Sequence, residues 1–298
     1  MVNRPSAGSA ATLILLLTAC AIQTPPPPPL PNPSNTPSPQ PAASPVLTAT
    51  ASLVPSPSST PAPSCLSEGG AVVQSEVVSP DLPRSLPYRV YLPPCAAERR
   101  GSLPVVILLH GLARTDSQWD ELEMDELAEE WITSARAKPF LIVMPWERLG
   151  LDYEVAIAEH LIPHLEQTYG ASPDRSLRAI GGISRGGGWA LRIGLKHPEL
   201  FGAIGLHSPA VLVSDLFDIP TWIESIPPVE LPAIWIDMGE RDTLRFALMD
   251  LTDLLDELGV PYTRQSFPGE HTAAYWSAHL EDYLRWYLVS WEDTGQAP

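Results

Sequence analysis

One stretch of the sequence decides the expected fold: Leu177-Arg-Ala-Ile-Gly-Gly-Ile-Ser184-Arg-Gly-Gly-Gly-Trp-Ala-Leu-Arg-Ile-Gly-Leu195. It starts as an apolar strand and continues as a helix, and the junction Gly182-Ile183-Ser184-Arg185-Gly186 matches the pattern G-x-S-x-G. In that pattern the serine lies on a sharp, strained strand-to-helix turn, where small flanking residues let strand and helix approach closely. The alternative is a Gly-rich turn that only packs tightly. The strand before and the helix after it favour a nucleophile elbow with Ser184 at its tip.

Apolar strands and amphipathic helices alternate on both sides of this stretch. The expected strands are Ala71–Ser79, Leu86–Leu92, Leu103–His110, Pro139–Met144, Leu177–Ile183, Phe201–Leu206, Ala233–Met238 and Tyr262–Phe267. The expected helices are Trp119–Ala135, Tyr153–Tyr169, Gly186–Leu195, Thr243–Leu258 and Ala273–Trp291. This order predicts an α/β fold, with a mostly parallel sheet flanked by helices on both faces. Residues 212–231 interrupt the alternation and are expected to be a small insertion over the strand ends, where such sheets bind ligands.

A serine hydroxyl needs a base to remove its proton before it can act as a nucleophile. In this kind of fold the base is a histidine that follows both the serine and an acid along the chain, which leaves His271 and His279. His271 lies in a loop after an expected strand, where its ring can project freely, whereas His279 falls inside an expected helix. These positions favour His271 as the base.

The imidazole in turn needs a carboxylate that fixes its tautomer and stabilises its charged form. Asp242 follows the strand Ala233–Met238 in the turn Gly239-Glu-Arg-Asp242 and is the favoured acid. Asp237, inside the strand, and Glu240, in the same turn, are the alternatives.

Two backbone N–H groups are needed to stabilise the oxyanion of a tetrahedral intermediate. The first is expected from Arg185, the residue after the nucleophile. The second is expected from the loop that follows the strand ending at His110, with Leu112 as the donor. The ring of His110 is expected to order that loop.

These motifs together resemble the putative-esterase family of α/β-hydrolases, which includes S-formylglutathione hydrolases, feruloyl and acetyl-xylan esterases and mycolyltransferases. The resemblance extends over residues 70–290 and rests on His110-Gly111-Leu112 with Trp119, the elbow, the acid turn, and Pro268-Gly-Glu-His271 followed by Tyr275-Trp276. It implies an α/β-hydrolase fold and a Ser184–Asp242–His271 triad, with no metal or organic cofactor. Trp119, Tyr275 and Trp276 are candidates for the substrate pocket, and packing of an aromatic helix face on the sheet is the alternative.

Three functions are compatible with this resemblance. The first is a serine carboxylesterase that acts on a small ester or an acylated sugar through an acyl-enzyme. The second is acyl transfer to a sugar or lipid, as in mycolyltransferases, and the third is a catalytically silent surface lipoprotein that binds a glycan or a protein. An intact elbow, acid and histidine favour the esterase, which we expect to be a monomer.

The N-terminal part of the chain has the features of an export signal and a tether. Residues 1–19 contain Arg4 and a short apolar run, and Leu17-Thr18-Ala19-Cys20 resembles a bacterial lipobox, in which the cysteine is lipidated. The alternative is an ordinary signal with a chance cysteine. Residues 21–64 hold 15 of the chain's 35 prolines and no charged residue, which predicts an extended tether over 20–64 and a single esterase domain over 65–298. The protein is thus expected on the outer side of a bacterial membrane, attached only through its lipid.

The charge and the remaining cysteines add two expectations. With 35 acidic and 18 basic residues the chain has a formal net charge of −17, which argues against nucleic acid as a partner. Cys65 and Cys95 flank the first expected hairpin, and an exported protein can form disulfides, so we predict a Cys65–Cys95 bridge. Two free buried thiols are the alternative.

Overall fold

The computed structural model describes residues 68–292, which form a sheet of eight strands with helices packed against it. The strands are β1 (Ala71–Val77), β2 (Leu86–Leu92), β3 (Val105–Leu109), β4 (Leu141–Pro145), β5 (Arg178–Ile183), β6 (Ala203–His207), β7 (Ala233–Gly239) and β8 (Thr263–Phe267). The helices are α1 (Gln118–Glu121), α2 (Met124–Thr133), α3 (Tyr153–Val155), α4 (Ile162–Tyr169), α5 (Arg185–Lys196), α6 (Val213–Ser225), α7 (Arg245–Glu257), α8 (Ala273–Ala278) and α9 (Leu280–Glu292).

The sheet order is β1-β2-β4-β3-β5-β6-β7-β8. Strands β3 to β8 run parallel, whereas β1 pairs antiparallel with β2, and β2 pairs antiparallel with β4. Because parallel strands end at the same edge of a sheet, the loops after β3, β4, β5, β6 and β7 all leave on one side. Ser184 directly follows β5 and lies on that edge.

Two apolar layers, one on each face of the sheet, form the core. Alternate residues of β3 belong to different layers, since Val105 and Ile107 lie in one and Val106 and Leu108 in the other. The first layer includes side chains of α4 to α7, and the second includes side chains of α2, α8 and α9. A strand that is buried on both faces is therefore apolar throughout, as the sequence of β3 indicates.

Two of the expected helices are interrupted. The segment 119–135 is divided into α1 and α2 because Glu123 adopts a left-handed conformation with φ of 70°. The closing helix is divided into α8 and α9 at His279, whose ring stacks on Phe267 with 4.0 Å between the ring centroids. Helical periodicity alone gives no sign of either turn.

The segment 153–169 is helical, but its middle part, Ala156–Leu161, is a π-helix. Pro163 follows it and has no N–H to donate to the preceding turn, which explains a local widening of the backbone.

The expected insertion at 212–231 is mostly the regular helix α6, followed by a short 3₁₀ turn at Pro228–Glu230. Asp215, which is buried on α6, forms an ion pair with Arg192 of α5 and ties α6 to the core. The segment expected as a small insertion is thus mostly one helix between β6 and β7, which continues the alternation of strands and helices.

Several expectations concern residues outside the described range. The signal peptide 1–19, the lipidated Cys20, the tether 20–64 and Cys65 all lie there, so the Cys65–Cys95 bridge stays a prediction. Within residues 68–292, no helix is both long and apolar enough to cross a membrane.

Candidate active site

Ser184 occupies a strained turn between β5 and α5. Its backbone has φ of 56° and ψ of −118°, a conformation that L-residues rarely adopt. The turn is held by hydrogen bonds from the Ser184 N–H to the His207 carbonyl at 2.9 Å and from the Ala210 N–H to the Ser184 carbonyl at 2.8 Å. A Cβ on Gly186 would lie 2.2 Å from the Leu109 carbonyl oxygen, so this position requires glycine. The expected elbow is thus present in the backbone.

The structure brings Ser184, His271 and Asp242 together. His271 Nε2 lies 2.9 Å from Ser184 Oγ, and His271 Nδ1 lies 2.8 Å from Asp242 Oδ2. Because a carboxylate only accepts, Nδ1 carries the hydrogen and Nε2 accepts from the serine hydroxyl. The other candidate base, His279, lies at the junction of α8 and α9, where its ring packs between Phe267 and Tyr275.

Asp242 is fully buried and is held on both oxygens. Oδ2 accepts from His271, and Oδ1 accepts from the Leu244 N–H at 2.8 Å. Burial works to raise the pKa of Asp242, but the hydrogen bonds from His271 and Leu244 outweigh it and hold this pKa below its ordinary value of 3.8. The carboxylate is therefore charged at neutral pH, as the partner of a histidine base requires. Of the alternatives, Glu240 is exposed and Asp237 contacts a different histidine.

The loop after β3 is held by buried side chains on both sides of Gly111. The Gly111 N–H donates to Gln118 Oε1 at 2.7 Å. The Gly111 carbonyl accepts from His110 Nδ1 at 2.8 Å, and His110 Nε2 accepts from the Glu147 N–H at 2.9 Å. Burial lowers the pKa of His110, so its ring is neutral and can serve both bonds. His110 thus orders the loop, in line with the expectation.

These bonds fix the direction of the next peptide group. In a planar trans peptide the C=O and the N–H point in opposite directions. Since the Gly111 carbonyl points at His110, the Leu112 N–H points away from that ring. β3 and β5 are neighbours, and Leu109 pairs with Gly182, so this loop lies beside the elbow. The Arg185 N–H, at the first position of α5, lies directly after Ser184.

An ion pair at the elbow was not predicted from the sequence. The guanidinium of Arg185 donates to both carboxylate oxygens of Glu147, with Nε 2.8 Å from Oε2. Glu147 also supplies the N–H that binds His110, so it connects the elbow with the loop after β3. Both residues were visible in the sequence, but nothing in their spacing of 38 positions indicates a pair.

The aromatic residues proposed for a substrate pocket are buried. Trp119 is fully enclosed and donates from Nε1 to the Leu109 carbonyl at 3.1 Å. The Tyr275 hydroxyl donates to Asp237 at 2.9 Å. The rings of Trp276 and His271 are nearly perpendicular to each other, with 5.0 Å between their centroids. This burial favours the alternative of core packing for these residues, and their place in a substrate pocket stays a prediction.

Exposed apolar side chains are found instead along the edge of the sheet that carries Ser184. Leu112 follows β3, Leu149 follows β4, Val213 and Phe217 lie on α6 after β6, and Phe246 lies on α7 after β7. Their exposed fractions range from 64% for Phe246 to 94% for Leu149. We call these five residues the apolar rim. Contiguous exposed apolar surface marks regions that bind ligands or partners, and the topology places these five side chains at one edge of the sheet.

A cavity of about 440 Å³ lies at the opposite edge, near Ser102 and Pro104 before β3 and Leu177 before β5. Its position at the other end of the strands separates it from Ser184. Among residues 68–292, no group of three or more His, Cys, Asp and Glu side chains is arranged to hold a metal ion.

The comparison with known proteins agrees with this geometry. Residues 79–287 match the model of the family described as "Putative esterase". Over 140 residues the chain is 27% identical to an endo-1,4-beta-xylanase/feruloyl esterase of Xylanibacter ruminicola, a match that covers 41% of this chain. It covers only 19% of that relative, so the chain corresponds to a small part of the larger protein.

Solved structures show the same fold. A ferulic acid esterase aligns with a TM-score of 0.65 and 23% identity, covering 74% of this chain and 98% of that chain. An S-formylglutathione hydrolase from Staphylococcus aureus aligns with a TM-score of 0.62 and 19% identity, covering 74% of this chain and 96% of that chain. The expectation of an α/β-hydrolase fold, with a mostly parallel sheet between helices, is confirmed.

Proposed function

This chain belongs to the putative-esterase family, and we propose that it hydrolyses carboxylic esters with Ser184, His271 and Asp242 as its catalytic triad. The observation that carries the proposal is the continuous hydrogen-bonded chain from Ser184 Oγ through His271 to Asp242, at 2.9 and 2.8 Å. Distances of this size allow the proton transfers that the reaction needs.

In the first half of the reaction, the Ser184 oxygen attacks the ester carbonyl while His271 Nε2 takes the hydroxyl proton. The carbonyl oxygen becomes an oxyanion, which the N–H groups of Arg185 and Leu112 stabilise. The tetrahedral intermediate then collapses, and the alcohol leaves with the proton that His271 had accepted. The acyl group remains on Ser184 as an ester.

In the second half, a water molecule replaces the alcohol. His271 Nε2 takes a proton from this water, which attacks the acyl carbonyl of the acyl-enzyme. The new tetrahedral intermediate is stabilised by the same N–H groups. It releases the carboxylic acid as His271 returns the proton to Ser184 Oγ.

Asp242 acts on the histidine in both halves. It keeps the hydrogen on Nδ1, so that Nε2 faces the serine with its lone pair. It also stabilises the imidazolium that forms after each proton transfer. The lowered pKa of Asp242 supports this role, because a charged carboxylate is needed at the pH where the histidine works.

The substrate in this proposal is a small ester, such as an acylated sugar, with an apolar or aromatic acyl group. The support comes from the apolar rim, whose exposed apolar side chains follow the strands that end at the same edge of the sheet as Ser184. The solved ferulic acid esterase and the feruloyl esterase relative add to this support, because an aromatic acyl group of that kind matches an apolar surface.

The same proposal places the enzyme outside the cytoplasm. The support here comes from the sequence: a short apolar run, the lipobox-like Leu17-Thr18-Ala19-Cys20, and the uncharged Pro-rich residues 21–64. A lipid on Cys20 would attach the esterase domain, residues 65–298, to a bacterial membrane through this tether.

Replacement of the nucleophile tests the activity. Ser184→Ala should lower kcat for p-nitrophenyl acetate by about 10⁵-fold or more, since removal of a triad nucleophile leaves only the oxyanion donors and binding. It should also abolish labelling by a fluorophosphonate probe. Ser102→Ala, an exposed serine at the opposite edge of the sheet, is the matched control and should behave like the wild type. Turnover or labelling that persists in Ser184→Ala would refute the proposal.

A further inference from the structure

A second Asp–His pair, separate from the triad, is buried at the ends of β6 and β7. His207 and Asp237 are register partners on these neighbouring strands, and both side chains are fully enclosed. His207 Nδ1 lies 2.7 Å from Asp237 Oδ1, and His207 Nε2 lies 2.9 Å from the Tyr287 hydroxyl. The mechanism of ester hydrolysis uses none of these groups, so the buried pair calls for another explanation.

Asp237 is the centre of this cluster because four donors converge on it. Oδ1 accepts from His207 and from Trp235 Nε1 at 3.1 Å. Oδ2 accepts from the hydroxyls of Tyr275 at 2.9 Å and Tyr283 at 2.8 Å. Four donors fill the acceptor positions of a carboxylate, which makes the burial of its charge tolerable.

The two tyrosines come from different helices. Tyr283 lies on α9, which packs on β6 and α2. Tyr275 lies on α8, four residues after His271, and the Thr272 hydroxyl accepts from its N–H at the start of that helix. Only Tyr275 therefore connects the buried carboxylate with the segment that carries His271.

The acid turn is tied to the same place. Asp237 lies on β7, five residues before Asp242. Backbone bonds join the turn to the histidine loop, from the Glu240 N–H to the Phe267 carbonyl and from the Arg241 N–H to the Gly269 carbonyl, both at 2.9 Å. The Asp237–Tyr275 bond adds a side-chain connection between β7 and α8, across the two segments that must hold Asp242 and His271 together.

Packing alone does not explain the hydroxyl of Tyr275. Phenylalanine would fill the same space and would place no polar group in the core. Burial and the nearby Asp237 carboxylate raise the pKa of Tyr275, so its hydroxyl keeps its hydrogen and donates. Hydrogen bonds to a charged acceptor are stronger and more directional than neutral ones, and this suits a bond that fixes the position of a helix.

We propose that Tyr275 is a positioning residue, whose bond to Asp237 fixes α8 and thereby holds the His271 ring within reach of both Ser184 and Asp242. This inference rests on the proposed triad. Misplacement of a catalytic group by about 1 Å can lower a rate by about 100-fold, whereas the binding of substrate depends on other contacts. Loss of the hydroxyl should therefore affect kcat and leave KM unchanged.

Two matched substitutions test the inference in the full-length chain. Tyr275→Phe and Tyr283→Phe each remove one hydroxyl from the same carboxylate oxygen. Tyr275→Phe should lower kcat for p-nitrophenyl acetate about tenfold with KM within about twofold of the wild type, and should slow fluorophosphonate labelling by a similar factor. Tyr283→Phe should keep kcat within about twofold, even where both variants unfold at similarly reduced temperatures.

The result that overturns the inference is equal kcat in the two variants, whether both are active or both are impaired in proportion to their loss of stability. The Ser184→Ala variant distinguishes failure of the positioning role from failure of the proposed function. Only the positioning role is refuted if the wild type is active, Ser184→Ala has no activity, and Tyr275→Phe keeps the kcat of the wild type. If the wild type neither turns over the ester nor reacts with the probe, the triad and the positioning role are refuted together.

Discussion

Replacement of Asp242 by asparagine should test the triad without changing its shape. The carboxylate accepts from His271 on Oδ2 and from the Leu244 N–H on Oδ1. An amide has only one oxygen, and the Leu244 N–H requires an acceptor, so the amide oxygen should stay with Leu244. The NH₂ group would then face His271 Nδ1. Nδ1 can accept from this NH₂ group only if the imidazole hydrogen moves to Nε2. With a hydrogen on Nε2, that nitrogen can no longer accept the proton of Ser184.

The magnitude follows from the lost charge and the changed tautomer. A carboxylate and an imidazolium about 4 Å apart interact by about 4 kcal/mol at an effective dielectric constant of about 20, which is worth roughly a thousandfold in rate. The unproductive tautomer adds to this loss. In the serine protease taken as a template for such triads, the same substitution lowers kcat by about 10⁴-fold. We therefore expect kcat to fall between about 10³-fold and 10⁴-fold.

The assay is steady-state hydrolysis of p-nitrophenyl acetate, with the unfolding temperature measured in parallel. Asp250→Asn is the matched control, because it makes the same chemical change on an exposed face of α7. It should keep the kcat of the wild type. A kcat for Asp242→Asn above about a tenth of the wild-type value, in a folded protein, would refute the assignment of Asp242 as the acid.

Two further predictions concern stability and location. Asp125 is buried on α2, and burial raises its pKa to about 7, above the ordinary value of 3.8. Because the folded state disfavours the charged carboxylate, the ionisation of Asp125 lowers the stability of the fold increasingly as the pH rises from about 4 to 7. Asp125→Asn should therefore stabilise the fold more at pH 8 than at pH 5, by about 2 kcal/mol in urea unfolding; an equal effect at both values would contradict this. If Cys20 is lipidated, the wild-type enzyme should sediment with membranes and dissolve in detergent. The Cys20→Ser variant should be soluble and keep the kcat of the wild type. Membrane association of that variant would exclude lipid anchoring at this residue.

The sequence was sufficient to predict the elbow because local rules determine it. An apolar strand, a serine between glycines and a following helix leave few conformations, and the clash of a Cβ on Gly186 with the Leu109 carbonyl gives the physical reason. The alternation of strands and helices predicted the parallel sheet for a similar reason. The features that were missed are the breaks at Glu123 and His279, the π-helix Ala156–Leu161 and the regular helix α6. The break at His279 involves a contact with another element, because its ring stacks on Phe267.

The surroundings of the site were harder to predict, since they depend on which side of a helix faces the sheet. Tyr275 and Trp276 follow His271 closely, and proximity in sequence suggested a pocket. In the structure both side chains point into the core, where Tyr275 reaches Asp237. Glu147, which connects the loop after β3 with the elbow, is 37 and 38 positions from the residues that it binds, His110 and Arg185. Gln118 lies only seven positions after Gly111, but its spacing does not indicate the bond that its side chain makes to the Gly111 N–H.

The two aspartates of β7 and its turn show where sequence reasoning reaches its limit. Asp237 and Asp242 both follow Ser184, both are buried and both bind a histidine, so chain order alone permits either as the acid. What separates them in the structure is the histidine that each one binds, His207 for Asp237 and His271 for Asp242. The space beside Gly181 and Gly205, where a Cβ would lie 1.8 and 2.0 Å from the Tyr287 hydroxyl, admits the hydroxyl that binds His207. Asp237 thus binds a histidine inside the core, and Asp242 binds His271, the histidine that contacts Ser184.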